Sequence, residues 1–123
     1  MNTTQLTEKD AERWTTIARL HAESGVAEAD TFWLEGSDEL CANFQPDKCN
    51  GCPVKDFTGR ANCDGSRYWH LWADTTDGYL AIKEENEGHE IGPILNEIAG
   101  KAAGKHGNTL AFLAKTRGER GML

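Results

Sequence analysis

CANFQPDKCNGCPVKDFTGRANC, residues 41–63, contains all four cysteines of this 123-residue chain. They follow the spacing C-x7-C-x2-C-x10-C, with a glycine between the central pair. A Cys-x2-Cys pair of this kind turns the backbone so that both thiolates point toward one metal ion. The outer cysteines supply the two further ligands that a tetrahedral ion requires. We therefore predict one metal site with the ligands Cys41, Cys49, Cys52 and Cys63.

Zinc is the predicted cofactor, because four protein ligands leave no open position for water, as in structural zinc sites. An iron–sulfur cluster is the first alternative. Cys52 is followed by Pro53, as in ferredoxins, but the close succession of three cysteines in those proteins is absent. Disulfides or free thiols are the second alternative, and disulfides would require an oxidising compartment. His70 is a candidate replacement ligand, although its aromatic neighbours favour an ordinary position on a helix.

The composition around the cysteines also favours a metal. Residues 43–65 are rich in Asn, Asp, Gly and Pro and have no sustained apolar period. A bare loop of about twenty residues is uncommon in a compact domain unless something within it supplies order. Only 38% of the chain is hydrophobic and thirteen residues are glycine, so the core is modest. A bound ion would therefore contribute much of the stability.

The N-terminal third shows a helical apolar pattern. Its apolar positions recur at spacings of three and four residues, at Ala11, Trp14, Ile17, Ala18 and His21. We predict an amphipathic helix that begins with Thr7 as its N-cap and Asp10 as an imperfect capping-box partner, and that stops at Gly25. A shorter helix is predicted over residues 27–34, ending before Gly36.

Three further helices are predicted after the cysteines, and the first of them follows Ser66. Ser66 is a suitable N-cap for a helix that contains Tyr68, Trp69, Leu71 and Trp72. The short run Tyr79–Ile82 fits a helical turn and a strand equally well.

The C-terminal region carries the second clear helical pattern. Its apolar face is formed by Ile91, Ile94, Leu95, Ile98, Ala99 and Ala102. Gly104 and Gly107 are predicted to break this helix, and Asn108 to cap a short final helix over residues 110–114.

These elements predict a mainly α fold, or an α+β fold with a minor hairpin, in a single small domain of residues 1–123. Its parts are an N-terminal helical region over residues 1–39, a four-cysteine segment over 40–73 and C-terminal helices over 90–117.

Charge and hydropathy restrict the function. The net charge of −7 opposes non-specific binding to nucleic acid. Residues 1–40 carry nine acidic and three basic side chains, whereas residues 101–123 carry one acidic and five basic. Acidic helical faces of this kind favour a basic protein partner. No run approaches the roughly 18 apolar residues of a membrane span, and the N-terminal sequence lacks the features of a secretory signal, so a cytoplasmic protein is expected.

Two weaker motifs suggest catalysis. An acidic cluster, consisting of Glu84, Glu85, Glu87, His89 and Glu90, is the basis of a hydrolase alternative, although consecutive carboxylates usually form a solvated surface. The stretch GKAAGKHG, residues 100–107, superficially resembles a phosphate loop but lacks the G-x4-G-K-[ST] order. We predict no catalytic residue and a non-enzymatic protein.

The cysteine region resembles small four-cysteine proteins of bacteriophages and prophages. The shared positions are Leu40-Cys41, Cys49-Asn50-Gly51-Cys52-Pro53-Val54, Thr58-Gly59, Cys63-Asp64-Gly65-Ser66-Arg67-Tyr68 and, weakly, Phe112-Leu113. Ser66 and Arg67 stand where threonine and proline are usual in those proteins. The resemblance implies a phage-type accessory protein with a four-cysteine metal site, no enzymatic activity and a host protein as its partner.

Overall fold

The computed structural model describes four stretches of chain and two single residues: 2–36, Leu40, Phe44, 52–58, 67–81 and 91–119. Within these stretches the chain forms five helices and no strand: α1 (Thr3–Glu23), α2 (Val26–Glu35), α3 (Pro53–Thr58), α4 (Arg67–Ala81) and α5 (Ile91–Glu119). The predicted mainly α class is therefore confirmed for the described residues.

The N-cap of helix α1 lies five residues before the predicted one. Asn2 is its N-cap: the Asn2 side chain accepts a hydrogen bond from the Gln5 backbone N–H (2.8 Å), and the Gln5 side chain accepts one from the Asn2 backbone N–H (3.0 Å). This reciprocal capping box satisfies two N–H groups at once. The predicted cap at Thr7 with Asp10 is wrong, because Thr7 lies inside the helix and its hydroxyl donates to the Thr3 carbonyl (2.7 Å).

The turn between α1 and α2 lies where the sequence predicts it. Gly25 has a φ of 98°, a left-handed conformation that glycine adopts without steric cost. The backbone N–H groups of Ser24 and Gly25 both donate to the Leu20 carbonyl, at 2.7 and 2.9 Å. Helix α2 then runs one residue beyond the predicted range at each end.

Helix α4 resolves part of the ambiguity at Tyr79–Ile82. Tyr79, Leu80 and Ala81 form its last turn, so the helical interpretation holds for these three residues. Ile82 and the predicted cap Ser66 lie outside the described residues.

Helices α1 and α5 pack side by side in antiparallel directions with their backbones close together. A Cβ atom built on Gly107 would lie 3.2 Å from the Trp14 Cβ, and one built on Gly100 would lie 3.0 Å from the His21 Cβ. Residues later in α1 therefore contact residues earlier in α5, which shows that the two helices are antiparallel. A larger residue at either glycine would force the helices apart.

The predicted break at Gly104 and Gly107 is wrong, because α5 continues unbroken from Ile91 to Glu119. A glycine inside a helix costs about 1 kcal/mol relative to alanine, which is a preference that packing can override. Here the glycines allow the close approach to α1, and the burial gained by that approach stabilises the helix through both positions. Asn108 consequently lies inside the helix and caps nothing.

The buried face of α5 also differs from the prediction. Ile94 and Ile98, placed on the apolar face by their spacing, are 54% and 38% exposed. Ala99 and Ala102, predicted on the same face, are buried as predicted. The further buried residues of α5 are Ala103, His106, Leu110, Leu113 and Ala114. Small side chains are required on this face because α1 presents bulky residues such as Trp14 to it.

Candidate functional site

Cys52 is the one predicted metal ligand that the described residues include. It lies immediately before α3, its residue is 6% exposed, and Pro53 and Val54 beside it are also buried. Cys52 and Val54 belong to the same apolar cluster as Trp14 and Trp72. The cysteine is therefore held at the edge of the helical core.

A second anchor lies directly before Cys41 in the sequence. Leu40 is 2% exposed, and its backbone N–H donates a hydrogen bond to Oδ2 of Asp10 at 2.9 Å. Asp10 is itself buried within α1. Phe44, three residues after Cys41, is half-buried against the core. The segment that carries the first cysteine is therefore tied to α1 by a carboxylate and to the core by two apolar side chains.

The position of Cys52 suits a metal ligand but does not define a metal site. Its thiolate is a ligand that zinc accepts, and the neighbouring core would exclude water from the ion. The other three predicted ligands, Cys41, Cys49 and Cys63, lie outside the described residues. Within the described stretches, no group of three His, Cys, Asp or Glu residues is placed to hold a metal ion. The four-cysteine site therefore stays a prediction.

His70, the candidate replacement ligand, is on the surface. Its side chain is well exposed on α4, and its Nδ1 lies 3.8 Å from Oδ2 of Asp74, one helical turn later. This agrees with the interpretation of His70 as an ordinary helix residue.

A buried polar network joins α1, α4 and α5 around His21. The indole N–H of Trp72 donates to His21 Nε2 at 2.9 Å, and His21 Nδ1 lies 2.9 Å from Asn96 Oδ1. An indole N–H only donates, so Nε2 must accept and the ring proton must be on Nδ1. Asn96 completes the network by donating from Nδ2 to the His21 carbonyl at 2.8 Å. The arrangement therefore requires a neutral His21.

The electrostatics around His21 favour the same state. Burial lowers the pKa of His21, and the hydrogen bond to Asn96 and the charge of Asp30 oppose that effect only in part. Burial and the negative charge of Asp77 raise the pKa of Asp30, while His21 lowers it. Asp30 is half-buried and Asp77 is exposed, so of these three groups only His21 lies in the core. His21 and Asn96 also line a cavity of about 340 Å³ between α1 and α5.

His106 is the second buried histidine. It is 2% exposed, and its ring meets Trp14 edge-on with the ring centroids 4.8 Å apart. Trp14 in turn packs edge-on against Trp72 at 4.9 Å. Burial lowers the pKa of His106 to about 4, so the ring is neutral at physiological pH. His106 therefore acts as an aromatic core residue.

The two motifs that suggested catalysis have different outcomes. The acidic cluster at residues 84–90 lies outside the described residues, so the hydrolase alternative stays a prediction. The phosphate-loop interpretation of residues 100–107 is wrong, because this stretch is the middle of a long helix packed on α1. A phosphate loop needs successive backbone N–H groups directed at the ligand, and a helix interior uses those groups in its own hydrogen bonds.

Of the four tryptophans, Trp14 and Trp72 are buried in the core. Trp33 and Trp69 are half-buried and pack against it, and Trp33 lies 5.4 Å from Trp72 between ring centroids. The large exposed apolar residues are instead aliphatic or phenylalanine side chains: Leu34, Phe57, Leu71, Ile94, Ile98 and Phe112.

Sequence reasoning missed two polar residues of the core. Asp10 was assigned to a helix cap, although its spacing of three from Thr7 and four from Trp14 already put it on the buried face. His106 was overlooked because it lies in a glycine-rich stretch. Its spacing of seven from Ala99 and four from Leu110 is the signal that places it inward.

No protein-family model, no curated protein and no solved structure matches this chain. The described helices include none that is both long and apolar enough to cross a membrane.

Proposed function

We propose that this chain is a non-enzymatic zinc-binding protein of the phage accessory type, which acts by binding a host protein. Cys41, Cys49, Cys52 and Cys63 hold one structural zinc ion. The ion orders the polar middle of the chain against the helices, and the acidic surface of the helices binds the partner.

The observation that carries the proposal is the anchoring of the cysteine segment at two separate points. Leu40 is fixed to α1 through its hydrogen bond to Asp10, and Cys52–Val54 are buried in the core. Each anchor lies at or beside a predicted ligand. Because Leu40 and Cys52 belong to one apolar cluster, folding of the helices already meets part of the entropic cost of bringing Cys41 and Cys52 to one ion.

The partner is proposed from charge and from the resemblance to phage proteins. The net charge of −7 and the exposed carboxylates of α1 and α2 favour a basic protein surface. The basic groups are concentrated near the C-terminus, so the acidic surface of the N-terminal helices remains largely uncompensated.

Metal analysis of natively purified protein tests the metal directly. We expect one zinc per chain and no colour, because a zinc–thiolate site does not absorb visible light. A brown preparation would instead identify an iron–sulfur cluster. Protein that contains no stoichiometric metal when purified without chelators would contradict the proposal.

Single serine substitutions test whether the four sulfurs hold one ion. Each of Cys41→Ser, Cys49→Ser, Cys52→Ser and Cys63→Ser should remove the zinc and lower the free energy of unfolding by about 4 kcal/mol or more, because metal binding is coupled to folding. The double variant Cys41→Ser/Cys52→Ser should be no less stable than either single variant, because each single substitution already releases the ion and the second has no bound metal left to remove. Additive losses in the double variant would mean that the cysteines act independently.

Affinity purification from a bacterial lysate tests the binding role. A basic protein should be retained by the parent chain and lost from a charge-reversed variant such as Glu28→Lys/Glu35→Lys, which changes two exposed carboxylates of α2. Equal retention by both would show that the acidic surface of α2 does not bind the partner.

A further inference from the structure

A groove of about 610 Å³ runs along the outer side of the α1–α5 pair. Its lining includes three small side chains, Ala11, Ala111 and Ala114, of which Ala11 and Ala114 are buried. Small residues allow another helical layer to approach closely. The groove shares Ala11 with the apolar core, so it lies directly over the contact between the two helices.

The two walls of the groove carry opposite charges. Glu8 and Glu12, one helical turn apart on α1, form an acidic wall, and Lys115 on α5 is the cation of the other wall. All three side chains belong to exposed residues. A uniformly basic helix placed in the groove would be repelled by Lys115, and a uniformly acidic one would be repelled by Glu8 and Glu12.

We propose that the occupant of this groove is a second copy of the same chain. The two copies are related by a two-fold axis parallel to α1 and α5, which places α1 of each copy opposite α5 of the other. The acidic wall of each copy then faces the Lys115 of its partner, and the same contact is made twice. This reciprocity is the defining property of a two-fold interface, in which one surface is complementary to itself.

An apolar side chain beside the groove supports this occupant. Phe112 is 56% exposed on α5, next to Ala111 in sequence and three positions before Lys115. In the proposed dimer Phe112 lies at the edge of the contact and is covered by α1 of the other copy. Large apolar groups of this kind supply most of the binding free energy at interfaces, and the charges around them determine orientation.

Charge reversal tests the arrangement through the oligomeric state of the full chain, measured by sedimentation velocity over about a hundredfold range of concentration. The parent should form dimers. Glu8→Lys/Glu12→Lys places two basic walls opposite each other, and Lys115→Glu places two acidic walls opposite each other. Each variant should raise the dimer dissociation constant at least about tenfold.

Mixing the two variants gives the decisive result. In the heterodimer both contacts again pair opposite charges, so the mixture should dimerise although neither variant does so alone. The control Glu28→Lys/Glu35→Lys makes the same change in net charge on α2 and should dimerise like the parent. Thermal melting of each monomer establishes that it is folded. A monomeric parent, or a mixture of folded variants that stays monomeric, overturns the proposal, whereas loss of zinc alone would not, because the groove contains no cysteine.

Discussion

Replacing Gly107 and Gly104 by alanine, one at a time, should change stability in opposite directions. Both residues lie inside α5, where alanine is favoured over glycine by about 1 kcal/mol. They differ in what the added methyl group meets. A Cβ on Gly104 would have a single neighbour within 4 Å, the Ala18 Cβ at 3.6 Å, which is ordinary van der Waals contact. Gly104→Ala should therefore stabilise the protein by about 0.5–1 kcal/mol.

The same methyl group on Gly107 has no room. It would lie 3.2 Å from the Trp14 Cβ and 3.3 Å from both the Ala11 carbonyl oxygen and the Thr15 nitrogen. Two of these three atoms are backbone, so α1 as a whole must move away. Overpacking of this kind costs about 1–3 kcal/mol and exceeds the gain in helix propensity. We expect Gly107→Ala to lower the free energy of unfolding by about 1–2 kcal/mol.

Urea and thermal denaturation followed by far-UV circular dichroism measure both variants. The expected difference between them is about 2 kcal/mol, which corresponds to melting temperatures about 8 °C apart for a chain of this size. The parent chain is the common reference, and equal denaturant m-values would show that the unfolding transition is unchanged. If Gly107→Ala proved as stable as Gly104→Ala, the close antiparallel contact of α1 and α5 at Gly107 would be refuted.

Three further predictions concern the buried polar groups. Burial lowers the pKa of His106 to about 4 in the folded chain, against 6.5 when unfolded. The contribution of the neutral His106 ring to the free energy of unfolding is therefore complete above pH 6.5 and falls by about 3 kcal/mol as the pH decreases to 4. His106→Gln should remove this part of the acid sensitivity, measured by urea titration at each pH. Trp72→Phe should raise the pKa of His21 in an NMR titration, because Nε2 loses its donor and becomes free to bind a proton; an unchanged pKa would contradict the proposed tautomer. Asp10→Ala should cost about 1–3 kcal/mol in chemical denaturation, since the buried N–H of Leu40 loses its acceptor. If the chain binds zinc as proposed, the same variant should release the ion faster to a chelator, and unaltered release would separate this anchor from the proposed metal site.

The helical class was predictable because it depends on local periodicity. Trp14, Ile17 and His21 recur at helical spacing, and all three are buried in α1. The stop at Gly25 followed from its freedom to adopt a positive φ, which is also a local property. The spacing of the cysteines likewise predicts a ligand set without reference to the rest of the chain. Of that set the structure describes Cys52, which is buried, and the shared site stays a prediction.

Where prediction failed, a contact distant in sequence was responsible. Asp10 was assigned to a local cap because its partner Leu40 is thirty positions away. Gly107 was predicted to end a helix because its neighbour Trp14 lies on another helix. Ile94 and Ile98 were placed inward because hydrophobicity alone does not reveal which face another helix will cover.

The sequence by itself determined that this chain is helical, where its first helices end and which four side chains are candidate metal ligands, since these depend on residues within a few positions of one another. Only the tertiary structure decided that α5 runs unbroken through its glycines, that Ile94 and Ile98 are exposed while Ala103 is buried, and that Asp10 and His21 serve as buried partners of distant groups. The physical reason is that helix propensities differ by about 1 kcal/mol per residue, so the burial gained when two helices meet is large enough to override them.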